Sequence, residues 1–173
     1  KYYSIDNPPQ ITINETIIDV SQCYGDQNGE ILLAVNGGTG NYTFLWDTEN
    51  GYGLTPTTQD QNSLAAGIYS VTVTDENGCT ALETFTVNQP NKIIFNQSTV
   101  TNNTDNNPDT PNGEINLEAT NATLPITTFL WDGPNGFTAD FEDLTSIKGG
   151  TYNVNITDAN GCIADTSFHV IDE

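Results

Sequence analysis

"YSVTVTDENGCTA" at 69–81 and "YNVNITDANGCIA" at 152–164 are two versions of one sentence. In the first, Tyr69, Val71 and Val73 alternate with Ser70, Thr72 and Thr74; in the second, Tyr152, Val154 and Ile156 alternate with Asn153, Asn155 and Thr157. A period of two marks a strand with one face buried and one wet. Asp75-Glu76-Asn77-Gly78 and Asp158-Ala159-Asn160-Gly161 close those strands, and a second alternating run follows each. Asn-Gly supplies the positive dihedrals of a tight hairpin, and aspartate or asparagine side chains bond their own backbone in such turns. The stretch therefore predicts a hairpin joining the last two strands of a folding unit, written twice.

The duplication extends outward from there. Asn28-Gly29-Glu30 returns as Asn112-Gly113-Glu114, Phe44-Leu45-Trp46-Asp47 as Phe129-Leu130-Trp131-Asp132, and Phe85 with Val87 as Phe168 with Val170, at offsets of 83 to 85 residues. A period held that closely, with loops absorbing the slack, is tandem duplication of a whole folding unit. Tyr42, Phe44 and Trp46 alternate in the same way, as do Ile115, Leu117 and Ala119. Gly, Pro and Asn-Gly punctuation separates the runs and no amphipathic helical window intervenes, which predicts an all-β fold of two antiparallel β-sandwiches. Residues 1–8 read as the end of a preceding repeat or a linker, 9–90 as the first sandwich and 91–173 as the second. The chain opens at Lys1 and holds no Met, so it reads as an excised piece of something larger.

Charge narrows the partners. Three Lys or Arg against 23 Asp or Glu give a formal net charge of -20, a field that repels phosphate backbones and anionic lipid surfaces. Nucleic acid is excluded on that ground, and no apolar run is long enough for membrane insertion. The acidity keeps a crowded surface soluble; the alternative is that some carboxylates hold divalent cations.

Gly67 before Tyr69, and Gly150 before Tyr152, resemble the corner tyrosine of immunoglobulin-like sandwiches, whose hydroxyl bonds back to nearby backbone. Trp46 and Trp131 would then be third-strand tryptophans filling each core. The order Gly-Glu-Ile, Phe-Leu-Trp, then "AGIYSVTVTDENGC" at 66–79 and a closing strand into Gln89-Pro90 resembles the SprB-type repeat of Bacteroidetes gliding-motility and cell-surface adhesins. The resemblance covers nearly the whole chain. It implies two tandem immunoglobulin-like domains, an extracellular location at the cell surface, and a stalk or filament role in adhesion and gliding. Its implied partners are neighbouring repeats of the same chain and a surface polysaccharide or substratum; it supplies no catalytic residues. A carbohydrate- or calcium-binding accessory module of a secreted multidomain protein is the alternative. The family also places a cysteine at the positions of Cys23 and Cys79, which implies a disulfide within the first repeat. Cys162 has no such partner, because the position corresponding to Cys23 is Asn107. A small buried apolar role for the hairpin cysteine is the other reading, and a plain sandwich sets the end of the first strand and the start of the last at opposite ends.

"DNNPD" at 105–109 places oxygen side chains on alternate residues, so Asp105, Asn107 and Asp109 are candidate ligands for Ca2+. Pro108 inside the run and the missing glycine speak for a solvated acidic turn instead. Asp26, Asn28 and Glu30 form a weaker version. Tyr52 and Phe137 follow equivalent Asn-Gly turns, where aromatics either stack on sugar rings or fold over the open end of the core. His169, the one histidine, alternates with Phe168 and Val170 and is expected to point outward. With no second histidine, nucleophile elbow or phosphate-binding loop, no enzymatic constellation is predicted.

Overall fold

The computed structural model describes residues 9–105 and 109–173. They divide into two compact units: residues 9–21 with 25–90, and residues 22–24 with 91–105 and 109–173. Expectations for residues 1–8 and for Asn107 lie outside the described residues.

The first unit runs β1 (Thr12–Ile18), β2 (Gly29–Asn36), β3 (Thr43–Thr48), β4 (Gln61–Leu64), β5 (Gly67–Thr74) and β6 (Thr80–Val87). One sheet has the order β1-β2-β4 and the other β3-β5-β6, with every pairing antiparallel. Setting strands one, two and four against three, five and six follows the division of immunoglobulin-like sandwiches. Alternation decides which faces meet: Tyr69, Val71 and Val73 of β5 are buried with Ile31 and Leu33 of β2, Trp46 of β3 and Phe85 of β6. Trp46 is 3% exposed, and its ring lies 5.9 Å from that of Phe85. Its indole N–H, which an apolar core could not satisfy, donates to Thr58 O at 2.8 Å.

The second unit repeats the plan with β7 (Thr99–Thr101), β8 (Gly113–Asn116), β9 (Thr128–Asp132), a 3-10 turn at Pro134–Gly136, β10 (Thr138–Ala139), β11 (Leu144–Ile147), β12 (Gly150–Thr157) and β13 (Ile163–Val170). Its sheets are ordered β7-β8-β11 and β10-β9-β12-β13. Trp131 stands on β9 as Trp46 does on β3, packs against Phe168 and donates to Phe141 O. The added strand β10 pairs Ala139 with Trp131, whereas in the first unit the backbone of that edge is met by a loop, with Trp46 N–H donating to Pro56 O.

Two irregularities recur one repeat length apart. The pairing of β2 with β4 shifts between Gly29 and Ile31, and that of β8 with β11 between Thr145 and Ile147. Ser63 and Ser146 take positive φ there. At the other end of each short strand, just ahead of Gln61 and Leu144, a carboxylate takes up the next amide of the neighbouring strand: Asp60 accepts Leu33 N–H and Asp143 accepts Leu117 N–H, both at 2.9 Å. Beyond β8 the row Ile115, Leu117, Ala119 is carried on by this bond, by Glu118 N–H to Ser98 Oγ and by the Ile94–Thr120 bridge.

The hairpins differ from the two-residue turn that Asn-Gly suggests. Gly78 and Gly161 take positive φ, but Asn77 and Asn160 do not. Gly78 N–H donates to Asp75 O, and Asp75 N–H to Cys79 O, with the same two bonds at Asp158 and Cys162. That pattern is a three-residue loop in which the glycine forms the bulge. The aspartate selects it, because its carboxylate ties down the loop amides that a tighter turn would turn away.

Candidate functional site

Each hairpin aspartate is buried and accepts three backbone amides. Asp75 Oδ1 accepts Asn77 N–H (3.0 Å) and Cys79 N–H (2.8 Å), and Oδ2 reaches across to Thr39 N–H (2.9 Å). Asp158 repeats this with Asn160, Cys162 and Thr123, each at 2.9 Å. Both are buried, at 5% and 3% exposure. Burial by itself would raise each pKa, but the backbone N–H groups of Cys79, Thr39 and Asn77 hold Asp75 below the ordinary value, and those of Thr123, Cys162 and Asn160 do the same for Asp158. These carboxylates lock the hairpin onto the loop before the third strand; their lone pairs point at amides.

The corner tyrosines sit at the other end of β5 and β12. Tyr69 donates its hydroxyl proton to Ala65 O (2.7 Å), with Tyr52 O also within reach at 2.9 Å, and accepts Tyr52 N–H at 3.0 Å. Tyr152 donates to Lys148 O at 2.9 Å. Burial raises both phenol pKa values, with the Asp172 charge adding to that at Tyr152. Tyr69→Phe is expected to cost the first unit about 2 kcal/mol, since it also orphans Tyr52 N–H, and Tyr152→Phe the second unit about 1 kcal/mol. Calorimetry resolving the two transitions checks this; equal shifts from both variants would contradict the extra amide's role.

The equivalent aromatics part company. Phe137 packs edge-on against Tyr152 at 5.2 Å and helps to close its core, whereas Tyr52 is 69% exposed while its backbone holds Tyr69. On the outer face of β9, β12 and β13, Asp132, Asn153, Asn155, Asp165 and Ser167 line a shallow polar depression. In the first unit Leu82 takes the place of Asp165, as the pairings of Asn155 with Asp165 and of Thr72 with Leu82 show. The depression is thus not a feature of the repeat. His169 is exposed and bonds Thr151 across the strand pair.

The cysteines correct the expected pairing. Cys23 is bonded to Cys162, with Cα atoms 5.4 Å apart, and Cys79 is a free, exposed thiol. The reason lies in how the first strand leaves its sheet. Val20 N–H donates to Asn88 O, and Asp19 accepts the backbone and side-chain N–H groups of Asn88. This clip fixes the approach to Cys23 beside the end of β6. Cys79 lies at the start of β6, nine residues back from Asn88, and that length of strand spans about 30 Å. Cys23 can reach at most about 11 Å from Val20, and bridged Cα atoms lie within about 7 Å. The second unit builds the same clip with acid and amide exchanged: Asn103 donates to Asp172 Oδ1 at 2.7 Å.

Of the candidate calcium ligands, Asp105 accepts the Thr110 hydroxyl at 2.9 Å, and its backbone N–H donates to Asn112 Oδ1. Asp109 is exposed. Among the described residues no three His, Cys, Asp or Glu side chains converge as metal ligands would. Nor, among those residues, is any helix long and apolar enough to cross a membrane.

The SprB repeat family model matches residues 14–51, from within β1 through the Trp46 strand to Gly51. No curated protein matches the chain. SprB repeats occur in cell-surface proteins, and the family is one of cell-surface adhesin and gliding-motility repeats.

Proposed function

We propose that this chain is a repeat segment of an extracellular adhesin, working as a stalk that carries an adhesive part away from the cell surface and transmits force during attachment and gliding. The observation that carries this reading is the SprB repeat match at 14–51 in a chain that builds the same sandwich twice. What the two units share is internal: hairpin aspartates, corner tyrosines, core tryptophans and the first-to-last strand clip. What differs is external, in the loops after Trp46 and Trp131 and on the outer sheet faces. Selection for a common ligand would hold the outer features alike; selection for a durable scaffold holds the inner ones.

The test is on cells. Antibodies raised against residues 9–173 should label intact source cells, the label should be lost on mild external proteolysis, and deleting the encoding segment should impair attachment. Label found only after lysis would reject the reading. The exposed Tyr52 ring favours a second one, glycan recognition; binding of the fragment to immobilised polysaccharide that is lost in Tyr52→Ala would favour it over a passive stalk.

A further inference from the structure

We propose that Cys79 is the acceptor of a disulfide from the loop after the first strand of another repeat of this kind, as Cys162 is the acceptor for Cys23. The inference rests on the repeat-array reading and adds a covalent link to it.

The two hairpins are the same object. Each cysteine follows the bulge glycine, donates its N–H to the hairpin aspartate, and gives its carbonyl to that aspartate's N–H. In the second hairpin this position carries a bridge, and the loop tip that brings the partner, residues 22–24, belongs to the compact unit it is bonded to. The neck of that loop is held by its own hydrogen bonds: Ser21 N–H donates to Asn28 Oδ1, Asn28 Nδ2 to Ser21 Oγ, and Gly25 N–H to Gln89 Oε1. Cys79 offers an exposed thiol in the same setting. Since the chain's other two cysteines are bonded to each other, its partner is not among residues 1–173. The repeats also differ in direction, because the corresponding stretch 100–113 has no cysteine. The first repeat both donates and accepts a bridge, while the second only accepts.

The chemistry is thiol–disulfide exchange with a low-molecular-weight disulfide such as glutathione disulfide. The loop thiolate attacks one glutathione sulfur and releases a glutathione thiolate. Cys79 thiolate then attacks the loop sulfur of the mixed disulfide and releases the second. Two protein thiols are oxidised to one disulfide and one glutathione disulfide is reduced to two thiols.

The decisive experiment repeats residues 9–90 ahead of 9–173, oxidises the three-repeat chain with glutathione, and maps the disulfides by mass spectrometry without reduction. The Cys23–Cys162 bridge in the same molecule reports correct folding. The expected result joins the upstream copy of Cys23 to Cys79 of the following repeat, in at least about tenfold excess over the glutathione-capped form, because tethering gives millimolar effective concentrations. Cys79 left free, capped, or paired within its own repeat overturns the proposal, while surface labelling and attachment would be unaffected and the stalk reading would stand. Should the longer chain not fold, the 173-residue protein is offered a peptide of residues 19–29 as its glutathione mixed disulfide. Preferred capture at Cys79 supports the proposal, and capture no better than that of a scrambled peptide overturns it.

Discussion

Reduction of the Cys23–Cys162 bond, or Cys162→Ser, is expected to lower the melting temperature of the second unit by at least about 8 °C, whereas Cys79→Ser leaves it unchanged. The bond closes a separation of 139 residues. Removing a cross-link over a loop that long costs up to about 5 kcal/mol in the chain-entropy view, and loss of a native disulfide costs about 2–5 kcal/mol in practice. For a domain of this size each kcal/mol moves the transition by about 4–8 °C. The effect falls on the second unit because residues 22–24 are part of it. Calorimetry with and without a non-thiol reductant separates the outcomes, and a second transition that stays within about 1 °C would reject the assignment.

The same covalent topology has a mechanical consequence. Tension applied between the two termini passes from Cys23 to Cys162 through sulfur, leaving the intervening residues out of the load path. In a single-molecule pull, reduction should therefore release about 500 Å of additional contour length, 139 residues at about 3.6 Å each. An oxidised chain that already yields that length would contradict it.

How much of this was legible in the sequence depends on whether the deciding contact is local. Alternation along β5 and β12 fixes which side chains are buried, so the strands, the core tryptophans and the corner tyrosines follow from residues close in sequence. The hairpin aspartates were legible as residues bonding their own backbone. Their third bond, to Thr39 or Thr123, was not, because it depends on a loop more than thirty residues upstream. The cysteine pairing was the least legible. Repeat equivalence put Cys23 and Cys79 in one unit, but the exit of the first strand beside Asn88 decides the reach, and the acid and amide of that clip trade places between the repeats. Gln61, buried and bonded to Thr55 and Thr58, left no periodic trace, since Leu144 stands in its place. Asp60 and Asp143 did leave one, as an aspartate recurring one repeat apart ahead of the short fourth strand.

Asp158→Ala is expected to destabilise the second unit by about 2–3 kcal/mol at neutral pH, as three backbone amides lose a charged acceptor and two of them sit in a hairpin that can reopen to water. Asp158→Asn is diagnostic: its oxygen can still accept from Asn160 and Cys162, but its amide nitrogen then faces Thr123 N–H, donor against donor. The pH dependence follows from the lowered pKa. A carboxylate whose folded pKa lies below its unfolded value, about 3.9 for aspartate, stabilises the fold in full above that value and loses its contribution as pH falls through the folded one. Acid also protonates exposed carboxylates and relieves the repulsion of the -20 charge, which works in the opposite direction, so the wild-type melting curve alone is ambiguous. The difference between wild type and Asp158→Ala cancels that shared term. Followed from pH 7 to pH 2 at fixed ionic strength, it should be constant down to about pH 4 and then shrink toward zero. A difference that stays level to pH 2 would show that the side chain acts through packing and not through its charge. Asp75→Ala should produce the same pH signature in the first unit's transition, because the same three-amide cradle holds it.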